Sequence, residues 1–190
     1  MILPIRAYGD PVLRKKAHDI TKDYPELNLL IDNMFETMYQ AHGIGLAAPQ
    51  IGLDIRLFVI DVRPLAEDED YLDIREELKD FKKVFINAKI LEYEGEPWKF
   101  NEGCLSIPDV REDVSRPETI TMEYYDENFI KHTETFSDIR ARVIQHEYDH
   151  IDGVLFTDKL SALKKKIIKG KLTKITAGDV SVDYKMRFPK

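Results

Sequence analysis

Gln145-His146-Glu147-Tyr148-Asp149-His150 sets two histidines four residues apart, with a glutamate directly after the first. On a helix, side chains four apart lie on one face, one turn above the other, so both imidazoles can reach a single cation. Glu147 lies about 100° farther round, close enough to handle an activated water without ligating. Two neutral nitrogen ligands and a carboxylate base are the core of a metal-activated hydrolase. The bland alternative is a pair of core histidines bonded to backbone carbonyls. Two histidines at this spacing, flanking a glutamate, weigh against it.

Working outward, Ile139, Val143, His146 and His150 stand at offsets of zero, four, seven and eleven, one continuous stripe. The histidines therefore take inward positions, where a polar group needs a partner. Ser137 suits the N-cap of this helix and Gly153 its end. Arg142, one turn before His146, reads either as a substrate contact or as pairing with an acidic surface residue, the second being favoured.

Upstream, residues 9–24 read as irregular and turn-rich. Leu27, Leu30, Ile31, Met34, Phe35 and Met38 recur at helical spacing, with Pro25 in the first turn and Gly43 as a stop. Gly43 to Gly52 is too rich in small residues for a helix and lets another backbone approach closely. Ile55–Val62 reads as a buried strand, and 63–83 as an exposed, solvated insertion with one or two helical turns. Strands are expected at Val84–Ile86, Ile90–Tyr93, Thr119–Tyr125 and Lys131–Phe136, the last two joined by a turn at Asp126-Glu127-Asn128. Thr157 or Asp158 should cap a further helix through Lys169, its apolar face made by Leu160, Leu163 and Ile167. Val182, Tyr184, Met186 and Phe188 alternate as in a strand. Helices and strands in this order give an α+β fold.

The chain has 190 residues, enough for one well-buried core, and without repeats or linkers it reads as a single domain, 1–190. A net charge of −7 argues against binding nucleic acid through the whole surface, and no sequence-specific nucleic-acid binding is expected. No apolar run approaches membrane-spanning length, and the N-terminus shows no secretory signal, so a cytoplasmic location is expected. One cysteine, Cys104, fits a reducing compartment. It must be structural, reactive or a ligand.

The histidine pair needs a third ligand. A metzincin-type pattern would place a histidine three residues after Gly153, where this chain has Phe156. A thermolysin-like site would draw a glutamate from the next helix, which offers mainly lysines. Both observations weaken the runner-up reading, a zinc metallopeptidase. Upstream, Asn101-Glu102-Gly103-Cys104-Leu105-Ser106 offers a thiolate beside a glycine that permits a tight turn. A structural module closed by Cys104 and both histidines is the reading from another class, though it would leave Gln50 and Glu147 idle.

Gly43-Ile44-Gly45-Leu46-Ala47-Ala48-Pro49-Gln50, Glu102-Gly103-Cys104-Leu105-Ser106 and Gln145 to His150 together resemble the three signature motifs of the peptide deformylase family, in its order and spacing. The resemblance covers roughly residues 9–157 and includes Asp10-Pro11-Val12-Leu13-Arg14. It departs at Asn101, in the long charged insertion and in the C-terminal strand. It implies an α+β domain with the histidine helix packed against antiparallel or mixed sheets. It further implies a hydrolase that removes the formyl group from the formyl-methionyl end of nascent polypeptides, releasing formate. By the same resemblance Cys104, His146 and His150 hold one divalent metal, with Fe²⁺ expected first and Zn²⁺, Ni²⁺ or Co²⁺ as alternatives. Glu147 is then the general base and acid, the Gln50 amide and the Leu105 N–H stabilise the oxyanion, and Ile44, Gly45 and Gly103 bind the extended peptide as an added strand. The basic run Lys164–Lys171 reads either as the wet side of its helix or as a contact for ribosomal RNA.

Overall fold

The computed structural model describes residues 1–189. Leu57–Asp61 (β3) explains the centre of the molecule, because every one of its residues is buried. Leu57 and Val59 face one side, Phe58 and Ile60 the other, as the two-residue period of a strand requires. Such a strand must be covered on both faces. It lies second in a five-stranded antiparallel sheet ordered β2 (Gly45–Ala47), β3, β4 (Lys82–Glu94), β7 (Thr119–Tyr125) and β8 (Lys131–Phe136).

The helix α1 (Leu27–Gln40) covers one face with Ile31, Met34, Phe35 and Met38, packed against Leu46, Leu57, Val59 and Ile86. The other face receives α3 (Asp138–Ile151), whose Ile139, Val143 and Ile144 meet Phe58, Phe85, Met122 and Phe136. A third cluster lies beneath the hairpin of β5 (Trp98–Cys104) and β6 (Ile107–Arg116). There Ile107, Val110 and Val114 pack on Leu13, Phe156, Ile168 and Ile175. The long helix α4 (Ala162–Ala177) supplies the last two. The chain ends pair in parallel, β1 (Ile5–Arg6) with β9 (Met186–Arg187).

Several sequence expectations change. The two strands expected at 84–86 and 90–93 are one strand, β4, broken in register after Ile86 where Asn87 takes a φ of 52°. The insertion does form short turns, 3-10 at Arg63–Glu67 and Glu69–Ile74 and one helical turn, α2 (Arg75–Leu78). It is not merely solvated, because Ala66, Leu78 and Phe81 are buried in the α3 side of the core. Ser137 stands at the cap of α3 but its hydroxyl makes no capping bond. The Asp138 carboxylate accepts from the Arg140 N–H instead, at 2.9 Å.

The greater correction concerns α4. Thr157 and Asp158 sit in a 3-10 turn, Phe156–Lys159, and the helix starts only after Ser161, whose hydroxyl accepts from the Lys164 N–H. It runs on to Ala177. Leu163 and Ile167 face solvent, while Ile168 and Ile175 face inward. The C-terminal strand is only two residues long, since its partner β1 is equally short.

Candidate metal centre

The site forms where α3 crosses the end of the β5–β6 hairpin. His146 and His150 sit one turn apart with ring centroids 5.2 Å from each other. Cys104, the last residue of β5, faces them; its Sγ lies 3.3 Å from His150 Nε2. The ligand atoms of Cys104, His146 and His150 all fall within 4.8 Å of one another, the one such grouping among the described residues. A sulfur and two imidazole nitrogens at this separation suit a single tetrahedral-type cation with one open position.

Glu147 stands beside this cluster. Its carboxylate is buried and Oε2 has no hydrogen-bond partner. Burial raises it to about 7, against the lowering effect of the neighbouring His146 charge. The room it occupies exists because residue 45 is glycine. A Cβ there would lie 2.5 Å from Glu147 Oε1, so any side chain would displace the carboxylate. The small-residue run and the histidine motif are thus two halves of one fit.

Gln50 lies in the 3-10 turn Ala48–Ile51 that follows β2, and is buried. Its Oε1 accepts from the Ala47 N–H at 2.8 Å, which turns Nε2 toward Cys104 Sγ at 3.5 Å and Ser106 Oγ at 3.3 Å. The amide therefore presents a donor to the cluster. Leu105 occupies the hairpin turn; a Cβ on Gly43 would lie 2.8 Å from its Cδ1. Gly103 has no left-handed backbone. Its bareness instead makes room for Arg111, whose Nη1 would lie 2.8 Å from an added Cβ. Ile44, Gly45, Gly103 and Leu105 all line a cavity of about 840 Å³ above the cluster, with Val143 and Tyr184 among its other walls.

Beneath the histidines lies a charge network that the sequence did not announce. Glu102 Oε2 lies 3.0 Å from His146 Nδ1, which fixes the ring and leaves its other nitrogen to the cluster. The same carboxylate accepts from Arg116 Nε and Nη2 at 2.7 and 2.9 Å, and from Arg142 Nη1 at 2.9 Å. Arg116 also donates to Asp149 at 2.7 Å. Burial works to raise Glu102, but the bonds from His146 and Arg116 outweigh it and hold the carboxylate well below its ordinary range. Burial likewise opposes charge on His146, yet its bonds to Cys104 and Glu102 push it up to about 10. His150 is driven the other way, by burial and then by the His146 charge, and stays neutral.

Arg142 corrects its sequence reading. It is almost wholly buried, stacked 4.3 Å from the Trp98 ring centroid and bonded to Glu102, not to a surface acid. The signal was present, since a cation three residues after Ile139 lies on the inward stripe. Nothing in the sequence singled out Arg116. Phe156, where a third histidine would serve a metallopeptidase, stacks against His146 with centroids 6.1 Å apart. His146, His150 and Cys104 therefore meet without a downstream ligand.

Comparison with known proteins agrees with this geometry. Residues 2–166 match the sequence model of the family described as polypeptide deformylase, leaving the tail outside the match. A peptide deformylase of Christiangramia forsetii is 65% identical over 100% of this chain and 97% of its own length. One from Flavobacterium johnsoniae is 62% identical over 99% of this chain and 96% of that protein. Among solved structures, a peptide deformylase from Legionella pneumophila superposes with a TM-score of 0.79 at 36% identity, covering 94% of this chain and 98% of that one.

Proposed function

This chain belongs to the peptide deformylase family, and from that premise we propose which of its residues carry the reaction. It is a metal-dependent hydrolase that removes the N-terminal formyl group from nascent polypeptides. Cys104, His146 and His150 hold one cation, for which the family resemblance favours Fe²⁺ over Zn²⁺, Ni²⁺ or Co²⁺. When bound, a divalent cation there supplies Lewis acidity and lowers the pKa of water.

The remaining work falls to the chain's own side chains. Glu147, poised near neutrality, accepts a proton from the attacking water and returns it to the leaving amine nitrogen. Formate and a free amino terminus result. The Gln50 amide and the Leu105 N–H donate to the oxyanion that forms on the formyl oxygen. Ile44, Gly45 and Gly103 offer backbone to an extended peptide, which adds as a strand. Gly45 lies against Glu147, so the formyl end of the peptide sits at residue 45. Glu102 orients His146, and Arg116 and Arg142 hold Glu102 charged.

The observation that carries this assignment is the fit of the Glu147 carboxylate against Gly45, beside three ligand atoms within 4.8 Å. A structural metal site would need no such carboxylate. The test is anaerobic purification, metal analysis and formate release from formyl-Met-Ala-Ser by the unmodified protein and by Glu147→Gln.

We propose one catalytic domain over 1–190 working in the cytoplasm; no helix among the described residues is long and apolar enough to cross a membrane. A ribosomal contact through Lys164–Lys171 belongs to the same reading. Lys164 is already engaged with Glu112 at 2.8 Å and Lys171 with the Asp109 carbonyl at 3.2 Å, which leaves Lys165, Lys166 and Lys169 to make it. Salt-dependent ribosome binding that survives alanine at those three positions would remove that contact from the account.

A further inference from the structure

The C-terminal tail reaches the active site. Ser181 to Tyr184 line the same cavity as Cys104 and Glu147, although they stand about thirty residues beyond the histidine motif. Tyr184 is the inner member of this segment, and its hydroxyl donates to the Leu105 carbonyl at 2.8 Å. Asp183, next to it, pairs at 3.2 Å with His42, which precedes the strand that receives the peptide.

The contact with Leu105 matters because of what the hairpin turn carries. Cys104 and Ile107 are paired across it, so Leu105 and Ser106 form a two-residue connection. Within those residues lie a ligand sulfur, the proposed oxyanion N–H of Leu105, and the Ser106 hydroxyl that meets Gln50. Two hydrogen bonds tie this turn to the terminal segments. The Tyr8 N–H donates to the Ser106 carbonyl at 2.8 Å, and Tyr184 donates to that of Leu105. Tyr8 follows β1 and Tyr184 precedes β9, and these two strands pair with each other. The paired chain ends thus form one platform from which the turn is held on both of its carbonyls.

The tail does not depend on the tyrosine hydroxyl for its own attachment. The Ile5 and Ala7 N–H groups donate to the Lys185 and Arg187 carbonyls at 2.8 and 3.0 Å, and Met186 and Phe188 pack into the third cluster. A bond that the tail can do without, aimed at the residue bearing an oxyanion donor, points to the turn as the element that gains from it.

We propose that Tyr184 is a positioning residue for deformylation, its hydroxyl fixing the Leu105 turn at the distance at which the Leu105 N–H meets the developing oxyanion. The inference rests on the roles assigned to Leu105 and Gln50 above. Donor placement of this kind acts on the transition state more than on the ground state.

The experiment compares the metal-loaded, full-length protein with Tyr184→Phe on formyl-Met-Ala-Ser, and measures binding of the product peptide Met-Ala-Ser by calorimetry. Loss of one such bond should lower kcat roughly three- to tenfold. KM, product affinity, metal content and melting temperature should stay at their unmodified values. Tyr184→Leu, which also removes the aromatic wall, should lower kcat similarly and in addition raise KM. Equal kcat in Tyr184→Phe and the unmodified protein would overturn the inference, as would a fall in kcat matched by changes in product affinity and melting temperature. Absence of formate release from the unmodified protein would overturn the assigned chemistry along with it.

Discussion

The helices α3 and α4 are nearly equal in length, 14 and 16 residues, and both carry polar and apolar residues at helical spacing. They use that pattern in opposite ways. On α3 the inward stripe holds His146 and His150 among isoleucine and valine, and Arg142 beside them is buried too. On α4 two large apolar residues, Leu163 and Ile167, stand more than two-thirds exposed, while Ile168 and Ile175 do the packing. Periodicity tells which residues share a face. It does not tell which face is inward, and a buried polar group is decided by its partners. On α3 those partners are Cys104 and Glu102, which sequence distance conceals.

The sharpest way to break this comparison is to alter matched positions on the two helices. His150→Ala should abolish stoichiometric metal binding and lower formate release by about 10³ or more, since two ligands cannot hold the cation. Leu163→Ala and Ile167→Ala should leave metal content and turnover unchanged. Metal analysis of the purified variants alongside the formate assay checks both.

Glu102→Gln tests the network under α3. It leaves the Arg116 and Arg142 guanidinium groups facing a neutral amide in a buried setting. Removing one partner from such a cluster costs about 3–5 kcal/mol. Denaturant unfolding should show that loss, with weaker metal retention because His146 loses its orienting carboxylate. On α4, Ile168→Ala should cost about 2–4 kcal/mol as a cavity forms in the third cluster, against less than about 0.5 for Leu163→Ala.

A smaller effect is expected at Asp61, which closes β3 and ties the insertion to it. Its buried carboxylate accepts from Tyr39 Oη at 2.6 Å and from Arg63 Nε and Nη2 at 2.9 and 2.6 Å. Burial works to raise it, but Arg63 and Tyr39 outweigh burial and hold it below its ordinary value. A carboxylate lowered in the folded state stabilises above the unfolded value, near pH 4, and loses that contribution as pH falls through the folded one. Asp61→Asn should therefore cost about 1–2 kcal/mol at pH 7 and progressively less below pH 4, read from unfolding curves across pH.

The same logic sets what was legible in the sequence. Strands β7 and β8 alternate cleanly, so they and their turn fall where the pattern puts them. The β5–β6 hairpin escaped because Glu102 and Arg116 occupy inward positions and pair with each other. A buried ion pair in a hairpin reads as two surface charges until the strands are brought together. The insertion misled for the converse reason, since its acidic run hides the few apolar residues that it buries. The tail kept its alternation, with Val182 and Tyr184 lining the cavity and Met186 packing in the third cluster, although only two of its residues find a partner strand. The spacing of His146, Glu147 and His150 was legible on its own, whereas Cys104 joined them only through the family resemblance; the structure brings its sulfur within 4.8 Å of their ligand atoms. Arg116 and Tyr184 were not legible, because nothing in their local sequence marks them.

The central claim is that α3 turns Glu147 toward the Cys104, His146 and His150 ligand atoms so that this carboxylate moves the proton in formamide hydrolysis. The most direct test is kcat for formate release by Glu147→Gln, prepared anaerobically and shown to hold one metal per chain. The account predicts full metal occupancy and a fall in kcat of about 10²–10⁴. Formate release undiminished at full metal occupancy would contradict it.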